Sequence, residues 1–193
     1  MPTPVRRQYL QLKRNHPDAI LFFRMGDFYE TFDEDARLVA RELNIVLTAR
    51  EAGKGNKVPM AGVPHHAAES YIARLVKAGH KVAICDQVST ETVKGLMPRE
   101  VVRVVTPGTV IEPALLEAKQ HNYLAGLVQD PARSVAGLAY IDITTGDFAA
   151  TVLQGHNLER LVSDELARLN PAELVIPDDR PPPDAPNCHL TPL

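Results

Sequence analysis

Apolar residues recur along this chain in two rhythms, one of helical spacing and one of short continuous runs. Thr3-Pro4 can cap and open a helix, after which Val5, Tyr9 and Leu12 fall on one side and Arg6, Arg7, Lys13 and Arg14 on the other. Asn15-His16-Pro17 ends that helix, because the residue before a proline avoids the helical region. Residues 19–23, AILFF, read as a buried strand bounded by Gly26. Asp33 is expected to cap a second helix with Ala36, Val39, Ala40 and Leu43 on its apolar face. Ile45-Val46-Leu47 predicts a short strand and residues 49–57 a glycine-rich loop. A third helix follows His65-His66, through Tyr71, Ile72, Leu75 and Val76, and ends at Gly79. Residues 81–88 and 101–105 predict two more strands, with a polar, turn-like segment between them.

The pattern changes near Glu112-Pro113. A short helix at 114–119 is followed by strand signals at 123–129, 134–143 and 147–153, the last two joined by the turn Thr144-Thr145-Gly146-Asp147. Residues 158–169 are amphipathic at helical spacing, and Leu174-Val175-Ile176 predicts a strand after them. Strand meander, helix, strand is the opening of an α/β domain of the ribonuclease H type. The segment from Asp178 onward is proline-rich, which resists regular structure and makes this second domain read as cut short. The expected organisation is α/β throughout: a mixed-sheet domain at 1–112, a linker at 113–121 and an incomplete ribonuclease H-like domain at 122–193.

Composition narrows the classes. The 193 residues are 45% hydrophobic and 23% charged, as in ordinary globular proteins. No apolar run is long enough for a membrane span, and the N-terminal residues lack the apolar stretch of a secretory signal. Cys85 and Cys188 stand alone, without the paired spacing of a zinc knuckle or disulfide framework, so a reducing cytoplasm is expected. The net charge of −3 speaks against a nucleic-acid binder until it is divided. Residues 1–112 carry 16 Lys and Arg against 13 Asp and Glu, a net of +3, and residues 113–193 carry 5 against 11, a net of −6.

Four groups of residues could carry chemistry. In Gly26-Asp27-Phe28-Tyr29-Glu30 an extended chain would project Phe28 and Glu30 together, an aromatic wedge beside a carboxylate that could contact a base edge. The alternative is a core Phe beside a surface Glu. Arg50, Lys54 and Lys57 around Gly53 and Gly55 suit phosphate, although no Gly-Lys-Ser/Thr follows as in a Walker loop, and a solvated loop is the plain alternative. His65-His66 has no second ligand pair at metal spacing, which favours capping or packing. Asp142 and Asp147 could belong to a two-metal nuclease, but no further acidic cluster follows, and Asp147 is explained by turn chemistry.

Several blocks then become specific. Phe22-Phe23-Arg24-Met25-Gly26-Asp27-Phe28-Tyr29-Glu30 and Val58-Pro59-Met60-Ala61-Gly62-Val63-Pro64-His65-His66 resemble the mismatch-recognition domain of the MutS family. Residues 81–87 (KVAICDQ) and 101–109 (VVRVVTPGT) resemble two further blocks of it, and residues 122–176 are similar to the connector domain that follows. The resemblance covers nearly the whole chain and is closer to the bacterial form. It implies that Phe28 inserts at mispaired or looped-out DNA from the minor groove and that Glu30 hydrogen-bonds the base. Met25, Asp27, Arg50, Lys54, Lys57, Pro59, Met60 and Arg103 would line the DNA. The connector would couple to MutL and to the clamp and ATPase domains. The resemblance implies no catalytic residue, metal or cofactor in this segment. ATP and Mg²⁺ would belong to the ATPase domain of a homodimeric parent, and the segment itself is expected to be monomeric. Ala49 before Arg50, where a second basic residue is common, and His65, where an aromatic is common, depart from the family pattern. Two other readings stay open: a metal-dependent ribonuclease H-like nuclease built on Asp142, and a module that binds only protein.

Overall fold

The apolar run at residues 19–23 forms most of β1 (Ala19–Met25), whose first five residues are all buried. A strand that is apolar at every position has to be covered on both faces. The computed structural model describes residues 2–53, 55–89, 91–92, 95–112, 116, 120–183, 185 and 188–193. Contacts divide the chain into two units, Met1–Thr106 and Pro107–Leu193. In the first, α1 (Pro4–Asn15) leads into β1, β2 (Phe28–Phe32), α2 (Asp33–Leu43), β3 (Thr48–Glu51), β4 (Lys57–Pro64), α3 (Ala68–Lys77), β5 (Lys81–Gln87) and β6 (Arg99–Val105). The strands form one mixed sheet in the order β3-β4-β2-β1-β5-β6, with only β1 and β5 parallel.

One face of this sheet is closed by α1, whose Tyr9 packs with Leu21, Phe23, Phe32, Ala83 and Cys85. Ile20 and Phe22 alternate to the other face, where α2 and α3 lie with Ala36, Val39 and Leu43, and with Ile72, Leu75 and Val76, buried. A polar hub joins α1, β1 and α2. Asp35 is 8% exposed. Its carboxylate accepts from Leu21 N at 3.0 Å and Lys13 Nζ at 2.9 Å, and lies 3.2 Å from the Tyr9 hydroxyl. That hydroxyl also accepts from Phe32 N at 3.3 Å.

Several expectations are corrected here. Asp33 does not cap α2. It is the first helical residue, at φ 54°, and its carboxylate takes Arg6 instead. Ile45-Val46-Leu47 is not a strand: Val46 is 80% exposed, and the extended segment begins one residue later as β3. The expected loop at 49–57 is mostly the β3–β4 hairpin, with Arg50 paired to Val58 in register. All of β3 is exposed, so its pairing comes from backbone hydrogen bonds to β4 and leaves no apolar signature. Arg99, placed by sequence in a polar turn, opens β6. It donates from Nε to Arg24 O at 2.7 Å and from Nη1 to Gln8 Oε1 at 3.1 Å, with its guanidinium over the Phe23 ring. Burial lowers its pKa.

The second unit is built on the sheet order β11-β10-β7-β8-β9, from β7 (Tyr123–Asp130), β8 (Val135–Asp142), β9 (Asp147–Gln154), β10 (Glu173–Ile176) and β11 (His189–Pro192). β7, β8 and β9 form an antiparallel meander; α4 (Leu158–Leu169) then leads to β10, parallel to β7, and β11 is parallel to β10. This is the expected ribonuclease H-type arrangement. The proline-rich segment was expected to be irregular, yet its end supplies β11, an edge strand, where proline is tolerated. The short helix expected at 114–119 lies outside the described residues apart from Leu116. Leu158, Val162, Leu166 and Leu169 of α4 pack on Ala125, Leu127, Ala136 and Leu138. The opposite side of the meander exposes Val128, Phe148 and Val152.

Glu173 ties the start of this unit to its sheet. Its carboxylate accepts from Gly108 N at 3.0 Å and from the Thr191 hydroxyl at 2.6 Å. A Cβ on Gly108 would stand 2.8 Å from Glu173 Cβ and 3.0 Å from Leu124 Cβ. Both are fixed close to the backbone, so only glycine fits here without a shift.

Candidate nucleic-acid interface

Strand alternation puts Phe28, Glu30 and Phe32 on one face of β2, with Tyr29 on the other. Phe32 goes down into the core beside Tyr9, whereas Phe28 is 46% exposed. The reading of Phe28 as a core residue is therefore overturned. The β1–β2 connection is tight: Gly26 adopts φ 59°, and Met25 pairs with Phe28 in register. Asp27 sits in this turn, and its carbonyl accepts from His65 N at 2.8 Å. On the far face, the Tyr29 hydroxyl donates to Asp86 at 2.8 Å and its ring lies 5.4 Å from the His65 ring. Phe28 thus projects from a hairpin held from behind, and His65 has the packing role expected for it.

Glu30 lies beside Phe28 and is nearly enclosed, its side chain 14% exposed. Arg50 reaches across β4 from β3 and donates from Nη1 to Glu30 Oε2 at 2.7 Å; the same nitrogen is 3.6 Å from Met25 Sδ. Burial raises the Glu30 pKa above the usual carboxylate range, and Arg50 opposes the rise. Gly62 of β4 pairs with Glu30; a Cβ there would touch Glu30 Cγ at 3.6 Å and Phe28 Cδ1 at 3.8 Å. Gly62 was not singled out from sequence, where an isolated glycine in a strand is the one available signal of close backbone approach. A cavity of about 190 Å³ opens below, lined by Thr3, Arg6, Met25, Arg50 and Val58 among others.

The fold therefore brings together Met25, Asp27, Phe28, Glu30 and Arg50. Met60 shares their face but packs against the core cluster, and Pro59 alternates to the other face opposite Ala49. Lys57 is exposed at the start of β4, paired with Glu51, and Lys54 lies outside the described residues. Arg103 is on β6, the far edge of the sheet, opposite Ile84, and is not part of this cluster.

Two comparisons decide the family. Residues 3–114 match the family model described as MutS domain I, and residues 122–189 match MutS domain II. The chain belongs to the MutS family. A protein named DNA mismatch repair protein MutS from Dehalococcoides mccartyi is 56% identical over 177 residues, which is 91% of this chain and 20% of that protein. MutS from Symbiobacterium thermophilum is 54% identical over 176 residues, 90% of this chain and 20% of that protein. The chain thus spans about a fifth of the length of the curated MutS relatives it matches. No helix is long and apolar enough to cross a membrane among the described residues.

The Asp142 carboxylate in MutS domain II is committed to its own chain. It is 2% exposed. It accepts from Thr144 N at 3.0 Å, Thr144 Oγ1 at 2.6 Å and Asn122 N at 3.2 Å, and lies 3.2 Å from His121 Nδ1. Asp147 opens β9 opposite it in register, but its carboxylate takes the Thr145 hydroxyl. Among the described residues no three His, Cys, Asp or Glu are grouped so as to hold a metal ion. Burial alone would raise the Asp142 pKa; the bonds from Thr144, Asn122 and His121 outweigh it and hold it at about 2. A carboxyl with a lower pKa folded than unfolded stabilises the fold above its unfolded value, about 3.9, and loses that contribution as pH falls through the folded one. Thermal unfolding should therefore show domain II losing on the order of 2 kcal/mol between about pH 4 and pH 2 from this group. Asp142→Asn should remove a similar amount at pH 7 and flatten the profile; an unchanged profile would refute the assignment.

Proposed function

We propose that this segment recognises mispaired or looped-out bases in duplex DNA. The observation that carries the reading is an exposed Phe28 on a braced hairpin, flanked by an enclosed carboxylate, in a chain of the MutS family. Many mismatches have to be caught, so recognition cannot depend on one base sequence. Their shared property is weak pairing and easy deformation, and a wedge that unstacks a step tests it directly. Unstacking costs a few kcal/mol, least where pairing is already defective.

Glu30 contributes in both directions. A carboxylate near phosphates weakens binding to intact duplex, while a mispaired base can offer it a hydrogen bond, with or without proton uptake. Met25, Asp27, Arg50, Lys54, Lys57, Pro59, Met60 and Arg103 are proposed to line the duplex, Arg103 from the opposite edge of the sheet. Domain II is proposed to couple this event to MutL and to the remaining four-fifths of the relatives' length, where ATP and Mg²⁺ would act in a homodimer. The exposed apolar side of its meander, with Val128, Phe148 and Val152, supports a role in protein contacts.

The test uses a full-length protein made by joining this chain to the remainder of the Dehalococcoides mccartyi relative. Two charges about 4 Å apart in water repel by about 1 kcal/mol. Glu30→Ala should accordingly tighten homoduplex binding severalfold and reduce the mismatch-to-homoduplex ratio. Unchanged homoduplex affinity in a fluorescence titration would sink the repulsion argument.

A further inference from the structure

The carboxylate proposed for base recognition does not stand free: one of its oxygens, Oε2, accepts from Arg50. We infer that Arg50 is a positioning residue for Glu30, holding its carboxylate ionised and aimed so that discrimination against intact duplex is set before DNA arrives. The inference rests on the function proposed above and departs from a role for Arg50 as a phosphate contact alone.

The geometry carries it. Arg50 Nη1 is 2.7 Å from Glu30 Oε2 and 3.6 Å from Met25 Sδ, so the guanidinium is fixed between two strands. Exposure is unequal: the Arg50 side chain is 47% exposed, the Glu30 side chain 14%. A freely solvated pair contributes little, but here the anion is largely removed from water and the cation is what makes its charge tolerable. Across the sheet Glu30 meets Gly62 on β4 and Phe23 on β1, neither of them ionisable. Arg6, which lines the cavity below, pairs with Asp33 through Nη2, and among the described residues no ion pair joins it to Glu30. Glu51, on the same cavity wall, accepts from Gly55 N at 3.2 Å. Among the described residues, Arg50 is thus the charged group in direct contact with Glu30. Its loss would let burial push the Glu30 pKa further up and free the carboxyl to rotate.

A phosphate contact and a positioning residue leave different marks. Neutralising a phosphate contact weakens matched and mismatched duplex by the same factor and makes the salt dependence shallower. Losing the hold on Glu30 changes the ratio between the two duplexes and its pH dependence. The experiment measures Kd for matched and mismatched duplex between pH 6 and 9, in the joined full-length protein, for wild type, Arg50→Gln, Glu30→Gln and the double variant.

The expected result has three parts. Arg50→Gln lowers the mismatch-to-homoduplex ratio severalfold at pH 7. The pH below which homoduplex binding tightens moves upward in that variant, because Glu30 takes up its proton earlier. The effect of Arg50→Gln on the ratio vanishes in the Glu30→Gln background. Equal weakening of both duplexes overturns the inference and leaves Arg50 a phosphate contact, with the role of Glu30 intact. A ratio effect that persists in the Glu30→Gln background overturns it as well. If Glu30→Gln itself leaves the ratio unchanged, the assigned role of Glu30 falls and the inference with it.

Discussion

Phe28→Ala should abolish the preference for mismatched over matched duplex while the protein stays folded. Stacking of a base on an aromatic side chain is worth about 1–3 kcal/mol, and each 1.4 kcal/mol is tenfold in affinity. The expected loss of discrimination is therefore about 5- to 150-fold, all of it on the mismatched side. Matched duplex should bind much as before, because intact steps resist the wedge and phosphate contacts do not involve the ring. Folding should be spared, since Phe28 is 46% exposed and its hairpin is held by Tyr29 and the Gly26 turn. Competition binding with paired duplexes measures the first effect and thermal melting the second. A variant that melts like wild type and still prefers a mismatch would refute the wedge.

Asp35→Ala should have the largest effect on stability. The carboxylate collects Leu21 N, the Tyr9 hydroxyl and Lys13 Nζ at one buried point, tying α1 and β1 to α2. Alanine would leave the Leu21 N–H without its acceptor and take the counter-charge from Lys13, whose ammonium, on a side chain only 27% exposed, would keep the Ala19 carbonyl at 2.7 Å. Breaking a buried pair from one side costs about 3–5 kcal/mol, and a buried unsatisfied donor adds about 1–3 kcal/mol. Asp35→Asn retains an acceptor for Leu21 N and should fall between wild type and alanine. Denaturant unfolding checks this, and a loss below about 1 kcal/mol for alanine would show that the hub is not what joins these elements. Mismatch discrimination in a folded Asp35→Asn protein should be close to wild type, because the hub lies below the Phe28–Glu30 face and touches neither residue.

Legibility differed by element. The helix at 158–169 was readable from its amphipathic spacing, and α4 spans those same residues. β1 was readable because a strand covered on both faces has to be apolar throughout. β3 was not, since an exposed edge strand is stabilised by its partner's backbone and its side chains need follow no pattern. The misplaced strand at Ile45-Val46-Leu47 has the same origin: local β-propensity marked three apolar residues, and the antiparallel register with β4 fell just after them. β11 escaped notice because proline density outweighed a four-residue edge strand.

At the candidate site, Phe28 and Glu30 were legible as a pair from period two alone, and the resemblance of their motif gave them a role. Arg50 was legible only as a basic residue in a glycine-rich segment. That it meets Glu30 depends on β3-β4-β2 adjacency, a pairing between residues 20 apart whose register no local pattern encodes. Gly62, Asp35 and Arg99 are of the same kind.

The sequence by itself determined the α/β class, the boundaries of most helices, the alternation that projects Phe28 beside Glu30, and the blocks that mark the family. Local propensity and periodicity suffice for these, because each depends on residues within a turn or a strand of one another. Only the tertiary structure decided that Phe28 is exposed rather than core, that Glu30 is enclosed and held by Arg50, and that Asp142 is consumed by its own hydrogen bonds. Those outcomes depend on strand order and burial. Both arise from long-range pairing, in which a side chain's solvent and charge partners come from segments distant in the chain.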